Sequence, residues 1–315
     1  MQGKTLKKIC ALICGVVLCG SAIPCLSASA ETTSDGYQQE TYYEYKPGNS
    51  NPVKEYTLDT RPPAIATISE VIPDNDPTQR KFLMPLDQKI VNIGYAGTGA
   101  IIGDNAILTC AHTFIGNGGK FLGVSGVQIV NSFVSNTDDE SSRKKLVITG
   151  FHVPKAYIDF KKATTKEERD KLDGHDYAII TVKIDNGDGT YSDLSEYGHF
   201  DMGIPLNSLN NKSDALKTVR VSGFFYDGTI KPHITYAMLK TSTGKVKNVK
   251  DVILEHSAIT AGGTSGAPVY MEKTYNGNDY QTIIGVHTGH ETSVKINKMI
   301  LKFALDNSNI ENDFN

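Results

Sequence analysis

From about residue 90 onward the chain is a succession of short apolar runs separated by glycine, asparagine and aspartate turns, a pattern that few folds can accommodate. KIVNIGY comes first. TGAII and AILTCAH then flank the turn Gly103-Asp104-Asn105, a hairpin signal. LVITGFHV, YAIITVKI, TVRVSGFFY, HITYAMLKT, DVILEHSAI, APVYM and TIIGVHT follow. No βαβ alternation is visible, so the fold class is all-β, a barrel or a sandwich. Two helices are expected to interrupt it. Thr165-Lys166-Glu167-Glu168 reads as a capping box opening a charged surface helix to Leu172. Ile296, Met299, Ile300 and Phe303 fall at i, i+3, i+4 and i+7, an amphipathic C-terminal helix expected to pack on the last barrel.

The residues before these runs read differently. Lys4, Lys7 and Lys8, the apolar stretch Ile9 to Leu18 and the small-residue triplet Ala28-Ser29-Ala30 make residues 1–30 a signal peptide, so secretion to the extracellular space is expected. No later stretch approaches the ~20 apolar residues of a membrane span, so no membrane association is expected once the leader is removed. Residues 31–70 are polar, proline-punctuated and without aliphatic periodicity. They cannot offset the entropy cost of folding alone and read as a pro-segment. Cys10, Cys14, Cys19 and Cys25 lie in the leader, which leaves Cys110 alone in the mature chain and excludes an intramolecular disulfide. Ala22-Ile23-Pro24-Cys25 is a poor lipidation site, because Ile23 and Pro24 stand where small residues are needed. A net charge of -3 gives no basic footprint for nucleic acid.

Three segments carry chemistry. Leu108-Thr109-Cys110-Ala111-His112 is an apolar strand ending in a histidine. Asp176-Tyr177-Ala178-Ile179-Ile180 is an acid opening a buried strand. Gly262-Gly263-Thr264-Ser265-Gly266-Ala267-Pro268 holds a serine in a glycine-rich loop. A serine hydroxyl needs an adjacent base to act as a nucleophile. His112 would take its proton and return it to the leaving amine, and Asp176 would fix the imidazole tautomer. Gly263 and Gly266 allow a sharp turn that aims the N–H groups of Gly263 and Ser265 at a developing oxyanion. Each segment alone is commonplace, as a turn, a structural histidine or a strand-end acid. The chain order His, Asp, Ser is that of chymotrypsin-type enzymes, whereas subtilisin-type chains run Asp, His, Ser.

The stretch from Val71 to the C-terminal helix resembles the glutamyl endopeptidase family, the disulfide-poor bacterial branch of chymotrypsin-like proteases. The resemblance rests on Val71-Ile72-Pro73-Asp74-Asn75, the AILTCAH and DYAII blocks, and ITAGGTSGAPVY followed by IIGVHTG. It implies a chymotrypsin-like double six-stranded β-barrel over residues 71–315, with the active site in the cleft between barrels. It also implies endoproteolysis after Glu, and less readily after Asp, of protein or peptide substrates, with no cofactor or metal and as a monomer. It carries three pocket groups onto this chain. Thr260 and His287 would bind a substrate carboxylate, His287 also contributing positive charge, and Val71 would supply the mature α-amino group after cleavage at Glu70–Val71. Such a pocket would repel Lys and Arg. Thr264 agrees with it, since trypsin-like zymogens carry there an Asp that pairs with the freed N-terminus.

Alternatives stay open at this point. Thr260 reads equally as a strand residue and His287 as a packing residue. The protein also reads as a chymotrypsin-like protease of other or narrow specificity, like the exfoliative toxins, or as an inactive secreted binding module on the same scaffold. The sequence HTGH (His287 to His290) lacks a helix and a further ligand for zinc, and Asp185-Asn186-Gly187-Asp188-Gly189 lacks an oxygen ligand at its third position, so it reads as a hairpin turn and not as a calcium loop. Cys110 is expected to point along its strand, away from the chemistry. Thr113 stands where the vertebrate branch has a cysteine, so that branch's usual disulfide is absent, and Thr288 stands where relatives have a Trp, which leaves subsite preferences open.

Overall fold

The computed structural model describes residues 39–59, 89–94, 97–124, 126–129, 133–135, 144–172, 174–231, 234–275 and 278–306. The leader, Val71 and the Glu70–Val71 bond lie outside the described residues. None of the described helices is long and apolar enough to cross a membrane.

Two strands precede the expected barrels, β1 (Gln39–Tyr45) and β2 (Lys54–Asp59), paired as an antiparallel hairpin. The first barrel comprises β3 (Ile90–Ile93), β4 (Gly97–Gly103), β5 (Ala106–Thr109), β6 (Val127–Ile129), β8 (Lys144–Pro154) and β9 (Ala178–Asp185). Neighbours run β9-β5-β4-β3-β6-β8, and pairing of β8 with β9 closes the ring of six. Between β6 and β8 the chain makes β7 (Phe133–Ser135), which pairs with a strand of the second barrel. The turn expected at Gly103-Asp104-Asn105 joins β4 to β5, with Gly103 opposite Ala106. The interior is apolar, with Val91, Ile101, Ile107, Phe151, Ile180 and Val182 all buried. Helices α1 (Lys155–Lys162) and α2 (Lys166–Leu172) fill the β8–β9 connection. The α2 capping box forms, since the Glu168 N–H donates to Thr165 Oγ1 at 3.2 Å and the Thr165 N–H to Glu168 Oε2 at 3.2 Å.

Beyond the short strands β10 (Tyr191–Ser192) and β11 (Asp201–Met202), the second barrel uses β12 (Thr218–Lys231), β13 (Ile234–Val249), β14 (Ile253–His256), β15 (Pro268–Tyr275), β16 (Asn278–Gly289) and β17 (Thr292–Lys295). Neighbours run β16-β15-β12-β13-β14-β17, closed by β16–β17. The fold is therefore a chymotrypsin-like double barrel. The turn at Asp185–Gly189 links β9 to β10 and is held by the Gly187 N–H on Asp185 Oδ1 at 2.8 Å, a hairpin turn.

The C-terminal helix α3 (Lys298–Asp306) forms, capped by Asn297 Oδ1 on the Ile300 N–H at 2.9 Å. Its buried residues share a core cluster with Tyr270, Ile283, Val286 and Val294 of the second barrel, as expected, and it also meets β2 and β4 of the first sheet. Its Phe303 ring lies 4.8 Å from Tyr42, so an aromatic face supplied by the N-terminal hairpin draws it there. Part of residues 31–70, the segment read as a pro-segment unable to fold alone, is built onto the first sheet. Residues 39–59 add two strands to the first sheet at β8, and Tyr42 is fully buried.

Candidate active site

The β5–β9 ladder ends with Thr109 opposite Ala178, which brings the residues just beyond β5 beside those just before β9. His112 sits in the short helical turn after β5 and Asp176 in the approach to β9. The carboxylate receives two bonds from the same residue. The His112 N–H donates to Oδ1 at 2.9 Å, and Nδ1 lies 2.7 Å from Oδ2. With Nδ1–H committed to the carboxylate, Nε2 is the nitrogen left to accept a proton.

Nε2 faces an unexpected neighbour. Cys110 is fully buried, and its Sγ lies 3.6 Å from Nε2 and 3.0 Å from Thr113 Oγ1. The thiol is turned to the imidazole and not along the strand, because the chain bends into the helical turn directly after it. Attraction to Cys110 and the bonds from Asp176 and Cys110 hold the imidazole pKa above its ordinary range, while burial opposes them. The ligand atoms of Cys110, His112 and Asp176 lie within 4.8 Å of one another. Asp176 occupies the Nδ1 edge of the ring, and the sulfur faces Nε2.

The serine loop lies against the same strand. Gly263 and Gly266 hold φ of 91° and 85°, the left-handed region that glycine enters without strain. A Cβ on Gly266 would stand 2.1 Å from Thr109 Oγ1 and 2.2 Å from Thr98 O, with the Cys110 nitrogen at 3.0 Å. The loop thus rests on the strand that leads into His112. The N–H groups of Thr264, Gly266 and Ala267 are used internally, on Ala261 O, His287 O and Thr264 O. Those of Gly263 and Ser265 make no backbone hydrogen bond among the described residues. Thr264 is buried and its hydroxyl donates to Ala261 O at 2.6 Å. Among the described residues no hydrogen bond joins the Ser265 hydroxyl to His112, a contact that in ligand-free sites often tightens only with substrate.

One residue holding this arrangement escaped the sequence reading. Thr98, fully buried on β4, donates through Oγ1 to Gly263 O at 2.7 Å and accepts there from the Phe224 N–H at 2.9 Å. Its N–H donates to Ser265 O at 2.8 Å, and its carbonyl accepts from Thr109 Oγ1 at 2.8 Å. First barrel, second barrel and serine loop meet on that side chain. The only sequence signal is a hydroxyl inside a strand otherwise made of glycine, alanine and isoleucine.

His287 is buried, and its Nδ1 lies 3.3 Å from Nε2 of His256, a second fully buried histidine that the sequence reading passed over. Burial, His256 and His112 push His287 down to about 3, and burial pushes His256 down to about 4. Burial and the neighbouring imidazoles thus favour the neutral form of His287 in the ligand-free site. Thr260 donates its hydroxyl to His290 O at 2.8 Å, so binding a substrate carboxylate would require that bond to exchange. His290 itself sits in an exposed turn with φ of 52°.

The sequence model of the trypsin-like peptidase domain matches residues 97–274, over half of the chain. No curated protein sequence matches it. A solved Glu endopeptidase in complex with MPD superposes on 70% of this chain and 90% of its own at a TM-score of 0.50 and 20% identity. That likeness is one of fold. A second structure, of HBP, covers 72% of this chain and 93% of its own at a TM-score of 0.42 and 12% identity.

Proposed function

The chain belongs to the trypsin-like peptidase family, and from that premise we propose that it is a secreted serine endopeptidase that cleaves after Glu, and less readily after Asp, through an acyl-enzyme. The observation that carries the catalytic reading is the doubly bonded His112–Asp176 pair beside a glycine-turned serine loop with two uncommitted N–H groups. Ser265 Oγ attacks the scissile carbonyl as Nε2 of His112 takes its proton. Asp176 keeps Nδ1 protonated and stabilises the imidazolium. The N–H groups of Gly263 and Ser265 receive the oxyanion, a donor of this kind typically contributing about 3–4 kcal/mol. Nε2 then protonates the leaving amine, and water repeats the sequence on the ester.

Preference for Glu is supported by the buried His287–His256 pair and by the Thr260 hydroxyl, held on His290 O just past the end of the strand that carries His287. A substrate carboxylate entering beside His287 favours its protonated form, so the charge appears on binding. A neutral donor in the free site also rejects a cationic side chain less strongly than a fixed charge would. The mature α-amino group of Val71 is the second cation in this reading, and the polar segment before it is the pro-segment. The neutral state of His287 also favours a second reading, a protease of other or narrow specificity.

Incubating the secreted protein with a peptide library, with and without a serine-reactive fluorophosphonate, separates these. Cleavage after Glu with Ser265 labelled supports the first reading, and labelled enzyme cleaving elsewhere supports the second. A protein that neither cleaves nor labels is the inactive scaffold. N-terminal sequencing tests the Val71 start.

A further inference from the structure

The hairpin of β1 and β2 is built into the body of the enzyme. It continues the first sheet, with Tyr42 to Tyr45 opposite Pro154 to Phe151 on β8. Its aromatic residues fill the core. Tyr42 is fully buried against Phe303 at 4.8 Å and Tyr56 at 5.7 Å, and the buried Tyr45 stacks on Phe121 at 4.3 Å. Polar bonds fasten its length, from Lys46 Nζ to Thr149 O at 2.8 Å and between Tyr56 OH and His152 Nδ1 at 2.9 Å.

The hairpin also reaches the acid of the site. Glu40 Oε1 lies 3.3 Å from Nε2 of His175, in ion-pair range though out of line for a hydrogen bond. Its Oε2 accepts from Tyr42 OH at 2.8 Å and from Tyr177 OH, and the two tyrosine hydroxyls lie 2.6 Å apart. His175 and Tyr177 are the residues on either side of Asp176. One carboxylate from the hairpin therefore holds both neighbours of the residue that orients His112. Removing the hairpin would expose the Phe121 and Phe303 rings and strand the buried Tyr177 hydroxyl.

We infer that residues 39–59 are a permanent part of the active enzyme, in which Glu40 is a positioning residue for Asp176. Cleavage at Glu70–Val71, which this inference takes from the proposed function, severs the chain beyond the hairpin and breaks none of these contacts. The mature enzyme is then two chains held together without a covalent bond.

Sequencing and weighing the active secreted protein under native and denaturing conditions tests retention. The expected native mass includes a fragment containing residues 39–59, released only on denaturation. An enzyme of full kcat/KM from which those residues are missing overturns the inference. An uncut chain retaining them refutes the Glu70 cleavage alone. Positioning is tested by Glu40→Gln. A 1 Å misplacement near a reacting group can cost about 100-fold, and here kcat is expected to fall about 10-fold or more at nearly constant KM. A variant that melts like the parent with kcat within about twofold would show the carboxylate to be structural only. Should Glu40→Gln fail to fold, a chain beginning at residue 60 is assayed with and without a synthetic peptide of residues 36–60. Activity restored by the peptide is expected, and full activity without it overturns both parts.

Discussion

The sulfur of Cys110 lies 3.6 Å from Nε2 of His112, the ring atom that takes the nucleophile's proton in the proposed mechanism. In that mechanism the sulfur competes with Ser265 for the base, and Cys110 with Asp176 raises the imidazole pKa. A base works only while Nε2 is unprotonated, so a raised pKa confines activity to higher pH. Cys110→Ala is expected to move the acid limb of the kcat/KM profile down by about one pH unit, equivalent to about 1.4 kcal/mol. An unchanged limb would show that the sulfur does not bias the proton. The cavity left by one buried atom should cost only about 1 kcal/mol of stability.

How much of this was legible in the sequence follows from how far each contact reaches along the chain. The strands, the Gly103-Asp104-Asn105 turn and the α2 capping box depend on near neighbours and are written in local pattern. His112 and Asp176 were recoverable because each adjoins a buried strand, and one ladder, Thr109 opposite Ala178, places both. The hairpin was not, since the partner of Tyr42 is Tyr177, 135 positions away, and a tyrosine-rich polar segment looks unfoldable until that partner is known. Thr98 and His256 were missed for the same reason, because their value lies in bonds to Gly263, Phe224 and His287. The direction of the Cys110 thiol depends on a backbone bend that the strand pattern does not announce.

Thr98→Val tests the junction between barrels and serine loop. The substitution keeps shape but leaves Gly263 O without its hydroxyl donor and the Phe224 N–H without its acceptor, both in a dry site. Two buried unsatisfied groups predict a loss of about 2–4 kcal/mol in urea unfolding. Gly263 O belongs to a residue whose N–H receives the oxyanion in the proposed mechanism, so kcat should fall as well. Thr98→Ser, which retains the oxygen, should restore most of both. Equal kcat in Val and Ser variants would remove Thr98 from the account of the loop.

Gly266→Ala should be more damaging than its size implies. The position needs φ of 85°, and a methyl group there would meet Thr109 Oγ1 and Thr98 O at about two-thirds of a normal contact distance. Backbone strain alone costs about 1–3 kcal/mol, and the clash with a backbone carbonyl adds to it. Because the loop must lift off β5 to relieve it, fluorophosphonate labelling of Ser265 is expected to disappear even in protein that remains folded by circular dichroism. Normal labelling would show that the loop does not depend on this close approach.

The buried imidazoles set the response of the fold to acid. Burial pushes His152 and His256 down to about 4, and burial, His256 and His112 push His287 down to about 3, whereas each titrates near 6.5 in an unfolded chain. Between those values the unfolded chain binds protons that the native protein refuses. Stability is therefore fully present above about pH 6.5 and declines as pH falls towards 4, by at most about 1.4 kcal/mol per pH unit for each histidine. His256 and His287 face each other at 3.3 Å, and their contributions should fall short of a simple sum. His152→Gln retains an acceptor for Tyr56 OH and removes one titration, so urea midpoints measured from pH 7 to pH 4.5 should decline less steeply in that variant. Parallel declines in parent and variant would mean that the native His152 takes up its proton as readily as the unfolded chain does.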